Sequence, residues 1–168
     1  MKNTLLSRLA LAAVAVAAAT AAQAQSTPVR TERNISLDLA NQIAGATVAA
    51  CLANGHNVAA AVVDRAGGLR ALQRADNAGP HTLSSSQAKA YTSASAKAST
   101  LAMMENAQKN PAAANLVYMP GFLLLGGGVP IRVGNEVIGA VGVGGAPGGH
   151  LDEQCAVAAL EKIKDLLK

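Results

Sequence analysis

Residues 127–144 read GGVPIRVGNEVIGAVGVG. Gly134-Asn135, near the middle, is a two-residue turn of the kind that closes a β-hairpin. Its flanks, GGVPIRV (127–133) and EVIGAVGVG (136–144), are short and rich in Val and Ile, as strands are. Pro130 cannot donate to a hydrogen-bond ladder, so the first arm is expected to start at an edge or a bulge. Gly139, Gly142 and Gly144 predict close approach of another surface, either a helix or a ligand. An earlier stretch repeats the pattern. NVAAAVVD (57–64) is a continuous apolar run that fits a buried strand, Arg65-Ala66-Gly67-Gly68 is turn material, and LRALQR (69–74) alternates. Two hairpins are therefore expected.

Helical patterns lie around them. Ser36 or Asp38 can cap a helix running to about Asn54, with Leu39, Ile43, Ala46, Ala50 and Leu52 at helical spacing. After the loop ADNAGPHT (75–82), Ser84–Ser86 can cap a second helix over 84–107, unusually rich in Ala and Ser. Such small residues let a helix lie close on a sheet, or leave room for a large ligand. Residues 110–125 contain Pro111, Pro120 and Gly121 and are expected to form a loop with at most a short helical turn. GAPGGH (145–150) leads into a last helix over 151–167. The order α-β-β-α-β-β-α, with two hairpins and segregated helices, predicts an α+β fold: an antiparallel sheet covered by helices.

The N-terminus is of a different kind. Lys2 and Arg8, the apolar run 9–22 and Ala22-Gln23-Ala24 form the positive region, hydrophobic region and cleavage site of a signal peptide. The alternative is an uncleaved anchor. The expected organisation is a cleaved signal peptide (1–24), a disordered arm (25–35) and one domain (36–168), working in a bacterial periplasm or outside the cell. Loss of Lys2 and Arg8 leaves 12 Lys+Arg against 10 Asp+Glu, a net charge of +2. With no basic run and only 2% aromatic residues, nucleic acid is not an expected partner, and neither is a membrane once the signal is cleaved. Cys51 and Cys155 both remain after cleavage. An even count in an oxidising compartment suggests one disulfide, the alternative being two buried free thiols.

Signatures for a nucleophile elbow, a Walker A loop, a zinc-protease helix or a Cys-x-x-Cys motif are absent. The 126–149 segment holds ten of the sixteen glycines, and its end could present N–H groups to an anion or simply make tight turns. His81 and His150 stand in Gly/Pro-shaped loops, where ligand groups are often placed. An imidazole there can ligate iron or zinc, or move protons, and Asp152 follows His150 closely. His56 reads as a turn residue. Lys89 and Lys97, eight residues apart, read as one helix face. Lys89 could reach a carboxylate or propionate, whereas Lys97 reads as solvated. Met119, a possible soft haem ligand, reads rather as a core residue.

Taken in order, VAAAVVDRAGGLRALQRADNAGPHT, KAYTSASAK and GGGVPIRVGNEVIGAVGVGGAPGGHLDEQCAVAAL resemble the GlcG/HbpS-like haem-binding family, over about residues 36–167. The resemblance implies an α/β/α-layered fold, assembly into a homo-oligomer, and haem or a related tetrapyrrole as ligand. Thr82, Lys89, His150 and Asp152 match the family's motifs by position. On this reading His81 is the expected axial ligand of haem iron, with Thr82, Lys89 and His150 around the cofactor and Lys89 near a propionate. A second reading is an enzyme or accessory protein acting on a small 2-hydroxy or 2-oxo acid, with His81 and His150 as acid and base. A third is an assembly protein without chemistry of its own.

Overall fold

The computed structural model describes residues 28–168. The expected signal peptide, 1–24, lies outside the described residues. Residues 28–32, which form no helix or strand, belong to a separate N-terminal unit, and Arg30 pairs there with Glu32. The second unit, Arg33–Lys168, holds all the regular structure described. Its elements are α1 (Leu37–Ala53), β1 (Ala59–Asp64), β2 (Leu69–Arg74), α2 (His81–Ala96), α3 (Thr100–Lys109), β3 (Gly128–Val133), β4 (Glu136–Gly144) and α4 (Gly149–Lys162), with short 3-10 turns at Ala114–Tyr118 and Lys164–Leu166.

The four strands form one antiparallel sheet in the order β2-β1-β4-β3, so the two hairpins join through their buried arms. Pro130 lies on the edge strand β3, whose register slips between Ile131 and Arg132. The missing proline N–H therefore costs no central ladder bond.

The period-2 pattern of β4 decides what covers each face. Val141 and Val143 point to a core completed by Ile43, Ala44 and Cys51 of α1 and by Cys155 and Ala156 of α4. Ile43 and Ile131 are fully enclosed there, and burial of each contributes about 1.5–3 kcal/mol. A disulfide joins Cys51 to Cys155, with Cα atoms 5.2 Å apart, and ties α1 to α4.

The opposite face of β4 carries Ala140, Gly142 and Gly144. A Cβ on Gly142 would come within 2.0 Å of the Ser86 carbonyl oxygen and 2.4 Å of the Ala90 nitrogen. On Gly144 it would meet Ser85 Oγ at 2.5 Å. Helix α2 thus lies directly on bare strand backbone. Its inner face, Thr82, Ser86, Ala90 and Ala94, repeats every four residues and is buried. Ala90 and Ala94 pack with Ala61, Val63 and Ala140 in a second, smaller core. Small residues on both partners make this approach possible, and the result is an α/β/α sandwich.

Three expectations change. The helix expected over 84–107 is two helices. The first ends at Lys97, which takes a left-handed conformation (φ 55°), and Ser99 caps the second by accepting from the Ala102 N–H. Ser93 Oγ donates to the Ala98 carbonyl, and Arg132 donates to that of Lys97, so side chains satisfy the carbonyls freed at the break. Second, the arm expected to be disordered to residue 35 is fastened from Arg33 onward. Ile35 is buried and its N–H donates to the Ile138 carbonyl, while Arg33 and Arg65 both pair with Glu136. The hydrogen bond from Arg65, helped by the Arg33 N–H and both guanidinium charges, outweighs desolvation and holds the Glu136 carboxyl below its ordinary value. Third, Met119 is about half exposed rather than in the core.

Candidate functional site

Helices α2 and α4 begin alike. Each carries, within its first two residues, a histidine placed two residues after a glycine: Gly79-Pro80-His81 and Gly148-Gly149-His150. Each ring folds back over that glycine. A Cβ on Gly79 would lie 2.8 Å from His81 Cε1, and one on Gly148 would lie 2.7 Å from His150 Cε1. Both histidines are exposed, and no hydrogen bond among the described residues engages either ring. They are therefore placed by packing and by helix geometry, with ring nitrogens available to a ligand or a proton.

Behind this outer layer lies a closed polar core. Lys89 is 2% exposed, and its Nζ donates to Asp152 Oδ2 and to the Val143 carbonyl, each at 2.8 Å. Asp152, also buried, accepts the Ala146 N–H on its other oxygen at 3.0 Å. It stands in the first turn of α4, where a negative charge is favoured by the helix dipole. One ion pair thus joins α2, β4 and α4. Gly127 seals it: a Cβ there would come 2.8 Å from Asp152 Cβ and 3.1 Å from Lys89 Nζ.

These positions sort the site residues foreseen from sequence. His81 and His150 face outward. Thr82 is buried, with its hydroxyl donating to the Gly79 carbonyl at 2.7 Å, so it shapes the turn that carries His81. Lys89 and Asp152 hold one another. The Lys89 ammonium faces this carboxylate, not an open surface where it could meet a propionate. Lys97 lies beyond the end of α2 and shares no helix face with Lys89. The anion expected at the GGAPGGH segment is supplied from within, because Asp152 takes the Ala146 N–H. The burial of Lys89 carried a signal in the sequence: it falls on the same helical face as Thr82, Ser86 and Ser93. Asp152 as its partner, 63 residues away, did not.

Hollows adjoin the histidine-bearing helices; a small one, about 220 Å³, lies between α4 and the end of α1 beside His56, and two are larger. One, about 460 Å³, is lined by Leu101, His150, Glu153, Gln154, Val157, Ala158 and Glu161. Glu153 there accepts a hydrogen bond from Ser99. His81 does not line it. The other, about 340 Å³, runs along the outer face of α2 and is lined by Ser84, Gln87, Ala88, Tyr91 and Gly121. Among the described residues there is no cluster of three or more His, Cys, Asp or Glu that could hold a metal ion, and no helix is long and apolar enough to cross a membrane.

The chain is similar to known proteins in sequence and fold. Protein GlcG of Escherichia coli (strain K12) is 38% identical over 109 residues, which is 62% of this chain and 80% of GlcG. The crystal structure of a double mutant of Streptomyces reticuli HbpS superposes with a TM-score of 0.76 at 34% identity, covering 84% of this chain and 95% of that one. PduOC, solved as a haem complex, shares the fold at 22% identity and a TM-score of 0.71, over 77% of this chain and 95% of its own. The family model for the haem-degrading protein HbpS-like matches residues 35–161, and the chain belongs to the HbpS-like family.

Proposed function

We propose that this protein binds haem or a related tetrapyrrole, with His81 as the axial ligand of the iron. One observation carries the reading. The Gly79-Pro80-His81 turn leaves an imidazole exposed and without a hydrogen-bond partner, at the start of a helix packed directly on the backbone of the sheet below it. An exposed imidazole held this way can ligate iron, so the residues present fit the group. The haem complex of PduOC shares the same fold and supports the reading. Thr82, Lys89 and Asp152 contribute from behind, by fixing the turn and the helix. His150 is the second exposed imidazole, available at the rim.

On this proposal the protein works after export, in the periplasm or outside the cell, as a homo-oligomer. The Cys51–Cys155 disulfide suits an oxidising compartment. Val117, Met119 and Val157 are half or more exposed, which suits further burial between copies.

Titration with haemin, followed in the Soret region, tests the assignment. The wild type is expected to give a shifted Soret band at one haem per chain, and His81→Ala to lose the shift while remaining folded. A shift that survives His81→Ala and disappears in His150→Ala would move the ligand to the other helix. An unshifted wild type would refute haem ligation.

A further inference from the structure

The chain has only three aromatic residues, Tyr91, Tyr118 and Phe122, and no Trp. Two of them build one fixed feature. Tyr91 projects from the outer face of α2, and its ring is wedged between two turns. A Cβ on Gly67, in the β1–β2 turn, would come 2.7 Å from Tyr91 Cδ2, and a Cβ on Gly121 would come 3.1 Å from Cε1 on the opposite edge. Both glycines have positive φ, 84° and 82°, so neither position readily accepts a side chain. Phe122 packs on the ring edge-to-face, with centroids 6.4 Å apart and planes at 72°. The segment carrying Gly121 and Phe122 is anchored in turn, because the Leu123 N–H donates to Thr92 Oγ1 at 2.8 Å.

Tyr91 is nevertheless 38% exposed. It is an aromatic held still on three sides and left open on the fourth, where it walls the hollow floored by Ser84 and Ala88. His81 lies on the same helical face. At 3.6 residues per turn, positions 81, 84, 88 and 91 form one stripe, and Ser84 and Ala88 stand about 4.5 Å and 10 Å along the axis from His81. Tyr91 stands about 15 Å along the axis, at the far end of the hollow, so a macrocycle centred on an iron at His81 enters the hollow by one edge, over Ser84 and Ala88.

We infer that the Tyr91 hollow is a preorganised apolar subsite for one edge of the tetrapyrrole whose iron His81 holds. The inference rests on the haem reading above and adds to it a second contact that needs no metal. Small floor residues suit a flat macrocycle, and a ring already immobilised by its neighbours loses little freedom when a ligand covers it. Stacking on a fixed aromatic is strong enough to be measured by side-chain deletion.

Iron-free protoporphyrin IX separates this subsite from ligation. Wild type and His81→Ala are both expected to bind it, read by porphyrin fluorescence, while only the wild type shifts the Soret band of haemin. Tyr91→Ala should weaken protoporphyrin binding about five- to tenfold, and Tyr91→Phe, which keeps the ring, should recover most of the loss. Gly121→Ala, which crowds the ring but deletes no aromatic, should also weaken it. Tyr118→Ala, at a largely solvated site, is the control. Equal protoporphyrin affinity for wild type and Tyr91→Ala, or an equal loss in Tyr118→Ala, would overturn the inference and leave His81 ligation standing. Haemin that binds with no Soret shift, beside Tyr91-dependent protoporphyrin binding, would do the reverse.

Discussion

The Lys89–Asp152 pair offers a quantitative test. Lys89→Met removes the ammonium and leaves a buried carboxylate with one neutral donor, the Ala146 N–H. Asp152→Asn leaves a buried ammonium facing the Val143 carbonyl and a neutral amide. Breaking a buried pair from one side costs about 3–5 kcal/mol, because the remaining charge stays desolvated. For a domain of this size that corresponds to a fall in Tm of roughly 10–17 °C. The double variant Lys89→Met/Asp152→Asn strands no charge, and the introduced amide oxygen can still accept the Ala146 N–H, so it should cost only about 1–2 kcal/mol. The double-mutant cycle should therefore give a coupling of at least about 3 kcal/mol. Urea unfolding at neutral pH with linear extrapolation measures all four corners. Single variants that each cost under about 1 kcal/mol, or effects that simply add, would refute the reasoning, because they would mean that water reaches the pair.

Two further perturbations follow from the packing. Cys51→Ser/Cys155→Ser opens a crosslink spanning 104 residues. In the chain-entropy model this removes up to about 4.7 kcal/mol of stability, and thermal melts with and without reductant should show the wild type falling toward the variant only when reduced. Glu136 has a depressed pKa in the fold, so its contribution to stability is present above the ordinary value of 4.5 and is lost as pH falls through the lower folded value. The Tm gap between wild type and Glu136→Gln should thus be open at neutral pH and close on acidification well below 4.5; a gap that stays constant with pH would mean that the Arg65 and Arg33 contacts do not favour the charged carboxylate.

The fold was largely legible because its signals are local. The Gly134-Asn135 turn, the apolar run 57–64 and Pro130 on an edge each act within a few residues, and strand β2 lies where alternation places it. The break at Lys97 was hidden because Ala and Ser continue helical spacing through it. What ends the helix is the capping role of Ser99 and the reach of Ser93 to Ala98, and both depend on where the sheet lies. Site residues were legible as types and not as roles. An imidazole after Gly-Pro is visible in sequence. The fate of the Lys89 charge depended on Asp152, on another element, and the Tyr91 wedge required two turns that are far apart in the chain to meet.

The glycine face of β4 has a consequence for how such a protein can change its ligand. Between α2 and the strand there are almost no side chains to rearrange, so the helix acts as a rigid rail: it can neither roll nor slide to follow a different guest. Adaptation is confined to the outward stripe at positions 81, 84, 87 and 88, where exchanges disturb no core packing. One scaffold can in that way be re-addressed to new small molecules by surface substitutions alone, at little risk to its own folding.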